Sequence, residues 1–281
     1  MDRFRRAAKR IPFAVDAYRR WRDGRWKTVP PRLTPYGFLL TGHAEMMAGR
    51  FEPEETVLVQ RLLGRCDRFV NIGANVGYYV CHAMVAGKPV VAVEPHRRNL
   101  DYLLTNVSAN ARRADVEIYP VALADAADVL SLHGAGTAAS LIPGWARAST
   151  RGRQLTPVLT LDSLLEGRFA GEQLLVLIDV EGVEDRVLAG APGVLARSPR
   201  PIFLVEISFG EHLERPNPKL LATFEHFWSR GYVTCTATAD PQAVSRAEIA
   251  AMAEGAANIF GTQNFLFFDP ELDIVSVVRR P

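Results

Sequence analysis

Seven short stretches of the chain are almost continuously apolar, and between them apolar positions recur at three- and four-residue spacing. The continuous runs are Phe69–Ile72, Pro89–Val93, Val116–Tyr119, Leu175–Asp179, Ile202–Glu206, Tyr232–Cys235 and Asn264–Phe268. Such runs suit strands buried on both faces better than strands with one wet face. The segments Tyr78–Ala86, Arg97–Asn110, Glu184–Ala189 and Leu220–Ser229 are predicted helices. Strand and helix in alternation imply right-handed crossovers and an open, mostly parallel α/β sheet covered on both faces. Upstream, "GFLLTGHAEMMAGRFEPEETVLVQRLLGRC" predicts a short strand and a helix, with Glu54 and Glu55 in the first turn where the helix dipole favours negative charge. Leu130–Val158 breaks the rhythm with small residues and little periodicity, and reads as an irregular, lid-like insertion at about 130–158.

Charge changes the picture only at the N-terminus. Residues 1–32 hold eleven Lys/Arg against three Asp/Glu, while the whole chain of 281 residues carries a net charge of only +2. Phe4, Ala8, Ile11, Val15 and Tyr18 share one helical face among arginines, with Pro12 expected to split the helix. Together with "TVPPRLTPYG", residues 1–36 read as a basic amphipathic extension and a Pro-rich connector ahead of a catalytic domain, 37–281. Residues 1–27 suit an anionic membrane surface, a partner, a second subunit or simply their own domain. The segment has the basic start of a signal peptide but only a short apolar run, so it is expected to be retained. No run approaches the roughly 20 apolar residues of a membrane span. Three scattered cysteines, Cys66, Cys81 and Cys235, argue for a reducing, cytoplasmic setting and against a structural zinc. The basic surplus lies in one segment, which argues against nucleic acid as a partner.

The chemistry concentrates at strand ends. In "FVNIGANVGYY", Gly73 and Gly77 follow the first strand, Asn71 precedes Gly73 by two residues, and Asn75 takes a position where glycine is frequent. Glycines there allow a sharp turn and close approach of a ligand, with a helix N-terminus behind them. Glu94 ends the second strand, about where an acid takes a ribose hydroxyl in dinucleotide folds. The spacing, however, is GxxxG and not GxGxxG, which suits a ligand that brings an amino-acid portion and a ribose but no pyrophosphate.

"GRFEPEE", "FVNIGANVGYY", "VVAVEPHRRNLDYLLTNV", "VALAD", "GTAASL", "LTLDSLL", "LIDVEGVEDRVLAGA", "IFLVEIS" and "NFLFF" follow one another from about Gly49 to Phe268. In this set and order the chain resembles the FkbM family of S-adenosylmethionine-dependent methyltransferases. The resemblance implies a Rossmann-like class I methyltransferase fold, a seven-stranded sheet with an antiparallel last strand. It also implies O-methylation of a hydroxyl on a sugar, glycan or polyketide-type molecule. By the same resemblance, Gly73, Asn75 and Gly77 form the S-adenosylmethionine loop, Glu94 takes the ribose, and Ala122 and Asp125 lie near the adenine. Asn71 departs from the family, which usually has Asp there.

"LLVLIDVEG" carries two acids, Asp179 and Glu181, at the tip of a strongly apolar strand, where open α/β sheets bind ligands. Either could instead cap the helix that follows. Transfer of a methyl group to an alcohol needs near-attack geometry and removal of the hydroxyl proton. Asp179 is the first candidate for base or substrate orienter, Glu181 the next, and Glu206 at the neighbouring strand tip a supporting acid. Asp179 and Glu181 could also hold Mg²⁺, which nothing in the sequence requires. His82, His133 and His212 are within reach of the same crevice in sequence terms. Thr137 and Ser140 lie in "GTAASL", which resembles the family's substrate-side loop; with His133 they are placed on the acceptor side, where Thr137 and Ser140 could hydrogen-bond a sugar or the cofactor or serve plain turn chemistry. Two other functions compete: a nicotinamide oxidoreductase, which would need a GxGxxG loop and a hydride site that are not evident, and a non-catalytic S-adenosylmethionine-binding module.

Overall fold

The computed structural model describes residues 29–279 except 112, 135, 137–138, 146–152, 211–215 and 256. The basic segment 1–27, Thr137 and His212 therefore lie outside the described residues. The chain enters through a short strand pair, β1 (Arg32–Leu33) and β2 (Leu39–Leu40), followed by α1 (Ala44–Met47) and α2 (Pro53–Leu63). The alternating pattern then runs β3 (Arg68–Ile72), α3 (Tyr78–Val85), β4 (Val90–Val93), α4 (Arg97–Ala109) and β5 (Val116–Tyr119). Three strands, β6 (Ala122–Leu123), β7 (Asp128–His133) and β8 (Arg153–Leu159), form a separate small sheet. The chain returns through α5 (Leu161–Leu165), β9 (Leu174–Ile178), α6 (Glu184–Ala189), α7 (Pro192–Leu195) and β10 (Ile202–Glu206). It closes with α8 (Leu220–Trp228), β11 (Val233–Thr236), α9 (Arg246–Ala253), β12 (Asn264–Phe268) and α10 (Ile274–Arg279).

The main sheet has seven strands in the order β11-β12-β10-β9-β3-β4-β5. β12 runs antiparallel to both of its neighbours, and the other pairings are parallel. This is the Rossmann-like class I methyltransferase arrangement expected from the sequence. Strand alternation splits its side chains between two cores. Phe69, Leu175, Leu177, Ile202, Leu204 and Leu266 pack toward α2 and α3. Val70, Ile72, Val176, Ile178, Phe203, Val205, Phe265 and Phe267 pack toward α5 to α9. Burial on both sides is the reason these strands read as unbroken apolar runs.

The topology also places the site. From β3 the chain moves outward to β4 and β5, then crosses back to β9 and β10 on the other side. Between β3 and β9 the order reverses, and a crevice opens beyond the carboxyl ends of the strands. Gly73, Glu94, Asp179 and Glu206 all stand at this end, and the antiparallel β12 brings Asn264 opposite Glu206. No described helix is long and apolar enough to cross a membrane.

The irregular reading of 130–158 needs correction. Its two ends are strands, paired antiparallel from Asp128 opposite Val158 to His133 opposite Arg153. The outer face of this pair is exposed, so Val129, Leu155 and Pro157 need not alternate with polar residues, and the period that would betray a strand is blurred.

Candidate active site

A cavity of about 550 Å³ opens at the switch point, lined on one side by Gly73, Asn75 and Glu94 and on the other by Asp179, Val180 and Glu181. Val121, Ala122, Leu123 and Leu132 from the small sheet close its apolar end, and Gly136 and Ser140 close its rim. Its floor is the turn after β3. The Gly73 and Ala74 amides both donate to the Val93 carbonyl, locking the turn to β4. Gly73 (φ 86°) passes so close to β9 that a Cβ there would lie 1.8 Å from the Asp179 carbonyl oxygen. The first glycine is thus dictated by the neighbouring strand end. Gly77 does not line the cavity; it precedes α3 and faces Leu103 of α4.

Glu94 is the most constrained acid of this cavity. It is 4% exposed and accepts hydrogen bonds from the Asn75 amide (2.8 Å), the His96 amide (2.7 Å) and Asn99 Nδ2 (3.3 Å). Burial pushes its carboxyl up to about 7, against these three donors, which favour the charged form. Asn75 adopts φ 50°, and its side-chain Oδ1 is buried with no protein partner. Asn71 is 1% exposed on β3, and its Nδ2 is likewise without a partner. Ala122 lines the cavity. Asp125 does not: it sits at the surface in an ion pair with Arg186 (2.7 Å), which holds its carboxyl below the usual range.

A second, smaller cavity of about 210 Å³ adjoins the first and shares Asp179 and Glu181 with it. Its other walls are Trp145, Gly182, Glu184, Glu206, Ser208 and Gln263. Neither strand-end acid caps the following helix. The N-cap of α6 is Val183 with no side-chain cap, and Glu184 Oε1 accepts from the Gly182 amide instead. That leaves Asp179 and Glu181 to the cavities. Burial, then the charges of Glu206 and Glu181, push the Asp179 carboxyl well above the ordinary carboxylate range. Glu184 is lifted to about 7, chiefly by burial.

Two acids from the other end of the chain complete this cluster, and neither stands at a strand end, where the sequence pointed. Glu52, immediately before α2, accepts from Tyr79 Oη (3.0 Å), and desolvation and Glu206 raise its carboxyl to about 7. Glu55 in the first turn of α2 accepts from Asn264 Nδ2 (2.6 Å), and burial followed by Glu52 raises it to about 8. Glu55 therefore faces the site besides lying in the helix's first turn. The signal for these two was the "GRFEPEE" stretch. Four described non-glycine residues have left-handed backbone, and three of them, Glu52, Asn75 and Glu181, are at this site. Clustering of strained backbone is a mark of functional loops.

The histidines divide. His82 is 3% exposed among Tyr36, Phe38 and Tyr78, with Nδ1 against Gln60 Nε2 (3.1 Å), and burial lowers it to about 4. It is a core residue and not a crevice base. His133 ends β7, and its backbone pairs with that of Ser140. Ser140 Oγ donates to the Glu181 carbonyl (2.7 Å), and Ser140 lines the larger cavity. Among the described residues no group of three or more His, Cys, Asp or Glu side chains is arranged to hold a metal ion.

No curated protein sequence matches the chain. Solved structures with similarity include monomeric WbdD, at 11% identity and TM-score 0.38, covering 77% of this chain and 40% of WbdD. The chain therefore spans less than half of WbdD's length. Others are the methyltransferase PaMTH1 of Podospora anserina in its SAH-bound form (9% identity, TM-score 0.38, 80% of each chain) and an O-methyltransferase family protein from Burkholderia thailandensis (14% identity, TM-score 0.37, 92% of this chain and 72% of that one). The family model of the methyltransferase FkbM domain matches residues 71–234, from Asn71 on β3 to Thr234 on β11. That span is more than half of the chain and contains Gly73, Glu94, Asp179, Glu181 and Glu206, and so the chain belongs to the FkbM methyltransferase family.

Proposed function

We propose that this chain is an S-adenosylmethionine-dependent O-methyltransferase whose acceptor is a hydroxyl of a sugar, glycan or polyketide-type small molecule. The observation that carries the reading is the meeting of two cavities at Asp179 and Glu181, one with Gly73, Asn75 and Glu94 at its wall and one lined by carboxylates. The larger cavity fits S-adenosylmethionine on the chain's own terms. Glu94 offers carboxylate oxygens at a strand end, and the orphaned Asn75 Oδ1 offers an acceptor for a ligand donor. Gly73, Asn75 and Glu94 would hold its amino-acid and ribose portions, and Ala122 and Leu123 its base. Bound there, S-adenosylmethionine supplies a methyl group carried on a cationic sulfur.

The protein's own work is to place a hydroxyl at the junction and accept its proton. Asp179 is the base: burial and neighbouring acids raise its carboxyl above the ordinary range, and a sulfonium cation bound beside it would favour the ionised form that accepts the proton. Glu206 and Glu181 orient the hydroxyl and share its negative charge with Asp179, so the proton is held by a set of acids and not by one. The apolar Ala122, Leu123 and Leu132 keep water from the larger cavity.

Isothermal titration and a methylation screen test this together. S-adenosylmethionine is expected to bind, and a panel of glycosides and polyketides, read by mass, should yield a singly methylated product. Asp179→Asn, nearly isosteric, should bind the cofactor within about threefold of wild type while losing about 100-fold or more in turnover. Tight binding of NAD(P) with none of S-adenosylmethionine would sink the proposal. Undiminished turnover in Asp179→Asn would remove Asp179 from the role of base.

A further inference from the structure

Trp145 is 3% exposed, yet it belongs to none of the three apolar clusters formed by the described residues. It lines the smaller cavity together with Asp179, Glu181, Glu184 and Glu206. Its indole Nε1 donates to Glu181 Oε2 at 2.6 Å. Its ring lies against the Gly182 backbone, where an added Cβ would fall 2.3 Å from Cζ3. The same stretch of chain also holds Glu181 by its backbone. Ser140, 1% exposed, donates from Oγ to the Glu181 carbonyl at 2.7 Å and accepts from the Ile142 amide at 3.0 Å. Ser140 is in turn fixed to the end of β7, exchanging backbone hydrogen bonds with His133 at 2.8 and 3.0 Å.

Glu181 is thus gripped at its side chain by Trp145 and at its backbone by Ser140, while its own backbone stands at φ 57°. An indole N–H can only donate, so its partner must be a lone pair of the carboxyl group. A large aromatic ring surrounded by acids is poor core packing, but it is a rigid wall for a cavity and a fixed anchor for a flexible glutamate. Holding that carboxylate before the acceptor arrives removes an ordering cost from each turnover, and small misplacements at a reacting centre lose rate steeply.

We propose that Trp145 is a positioning residue, and that residues 140–145 form a latch fixing the Glu181 carboxylate at the junction of the two cavities. The proposal rests on the transferase reading above for its catalytic consequence, but not for the latch itself. Trp145→Phe keeps the ring and removes the N–H. With an acceptor found by the methylation screen, this variant should lose about 10- to 100-fold in kcat/KM for that acceptor. Its affinity for S-adenosylhomocysteine, measured by calorimetry, should stay within about threefold of wild type. Combined with Glu181→Ala it should be no worse than Glu181→Ala alone, because Trp145 acts through Glu181.

The latch is also read without turnover, from the indole N–H signals of the full-length chain in a ¹⁵N spectrum. Substituting each of the four tryptophans by Phe in turn assigns them, and three variants suffice if Trp145→Phe does not fold. The Trp145 signal should move in Glu181→Ala and stay in place in Glu181→Gln, which keeps an oxygen for the indole. An unmoved signal in Glu181→Ala overturns the latch, as does a Trp145→Phe defect that adds in full to that of Glu181→Ala. A failed methylation screen would count against the transferase reading alone, since the spectrum needs no acceptor.

Discussion

Gly73 shows how one residue type can be expected for one reason and required for another. In the sequence it reads as room for a ligand; in the fold, the space is taken by the Asp179 carbonyl, 1.8 Å from where a Cβ would stand. Gly77 meets a side-chain end instead, Leu103 Cδ1 at 2.6 Å. Both have φ near 87°, where a non-glycine residue costs about 1–2 kcal/mol. The difference lies in what can move. A strand-end backbone cannot retreat, so overpacking should bring the cost of Gly73→Ala to about 3 kcal/mol or more, with loss of S-adenosylmethionine binding. The Leu103 methyl can rotate away, which keeps Gly77→Ala near about 2 kcal/mol with binding weakened less. Urea midpoints and calorimetry on both variants check this; equal destabilisation would show that backbone strain alone sets the cost. The pattern of glycines was legible in the sequence, whereas the atom each one makes way for belongs to an element further along the chain, for Gly73 a strand about a hundred residues on, and was not.

At the scale of elements, the strands of the main sheet were legible because burial on both faces writes an uninterrupted apolar run. The short strand β2, expected from "GFLL", pairs among the described residues only with β1 and is held on its other side by side chains. Asn106 on α4 accepts from the Thr41 amide (2.8 Å) and donates to the Thr41 (3.0 Å) and Val76 (2.8 Å) carbonyls. Asn110, one turn on, accepts from the Leu39 amide (3.0 Å) and donates to its carbonyl (2.8 Å). Two asparagines on one helix face thereby act as the missing neighbouring strand and tie the entry segment to the turn before α3. Asparagine suits this because its amide presents a donor and an acceptor side by side, as a peptide group does. Asn106 is fully buried, so Asn106→Leu leaves one amide and two carbonyls unpaired. It should cost about 3 kcal/mol, and the Thr41 amide should lose its protection from hydrogen exchange. Retained protection at Thr41 would mean that Asn110 alone secures the strand.

Across the whole molecule, the collection of buried acids sets how stability responds to pH. Asp179, Glu181 and Glu206 were legible, because an acid at the tip of an apolar strand has no packing reason to be there. Glu55 was read only as part of a helix start and Glu52 only within "GRFEPEE", since what lifts their carboxyls is desolvation and other acids brought close by the fold. Glu55 (about 8), Glu94 and Glu184 (each about 7) and Asp179 (well above ordinary) keep their protons in the folded protein at pH values where the unfolded chain has released them. The folded state therefore binds more protons between about pH 4.5 and 7–8, and stability must fall as pH rises through that window. His82 works the other way: lowered to about 4, it costs stability as pH falls from about 6.5 to 4. Several acids outweigh one histidine, so the ligand-free protein should be more stable near about pH 5.5 than near about pH 8. Glu55→Gln isolates the effect, because a glutamine oxygen can still accept from Asn264 Nδ2. A tenfold difference in proton affinity between the folded and unfolded chain corresponds to roughly 1.4 kcal/mol, and part of the relief passes to the neighbouring acids, leaving a gain of about 2 kcal/mol near about pH 8.5 and little near about pH 4.5. A gain of equal size at both pH values in urea unfolding would assign the effect to packing and not to charge. The expected outcome ties the cost to the acid cluster: an isosteric glutamine would give a sturdier fold at neutral pH, and what it gives up is one of the acids whose charge acts on Asp179.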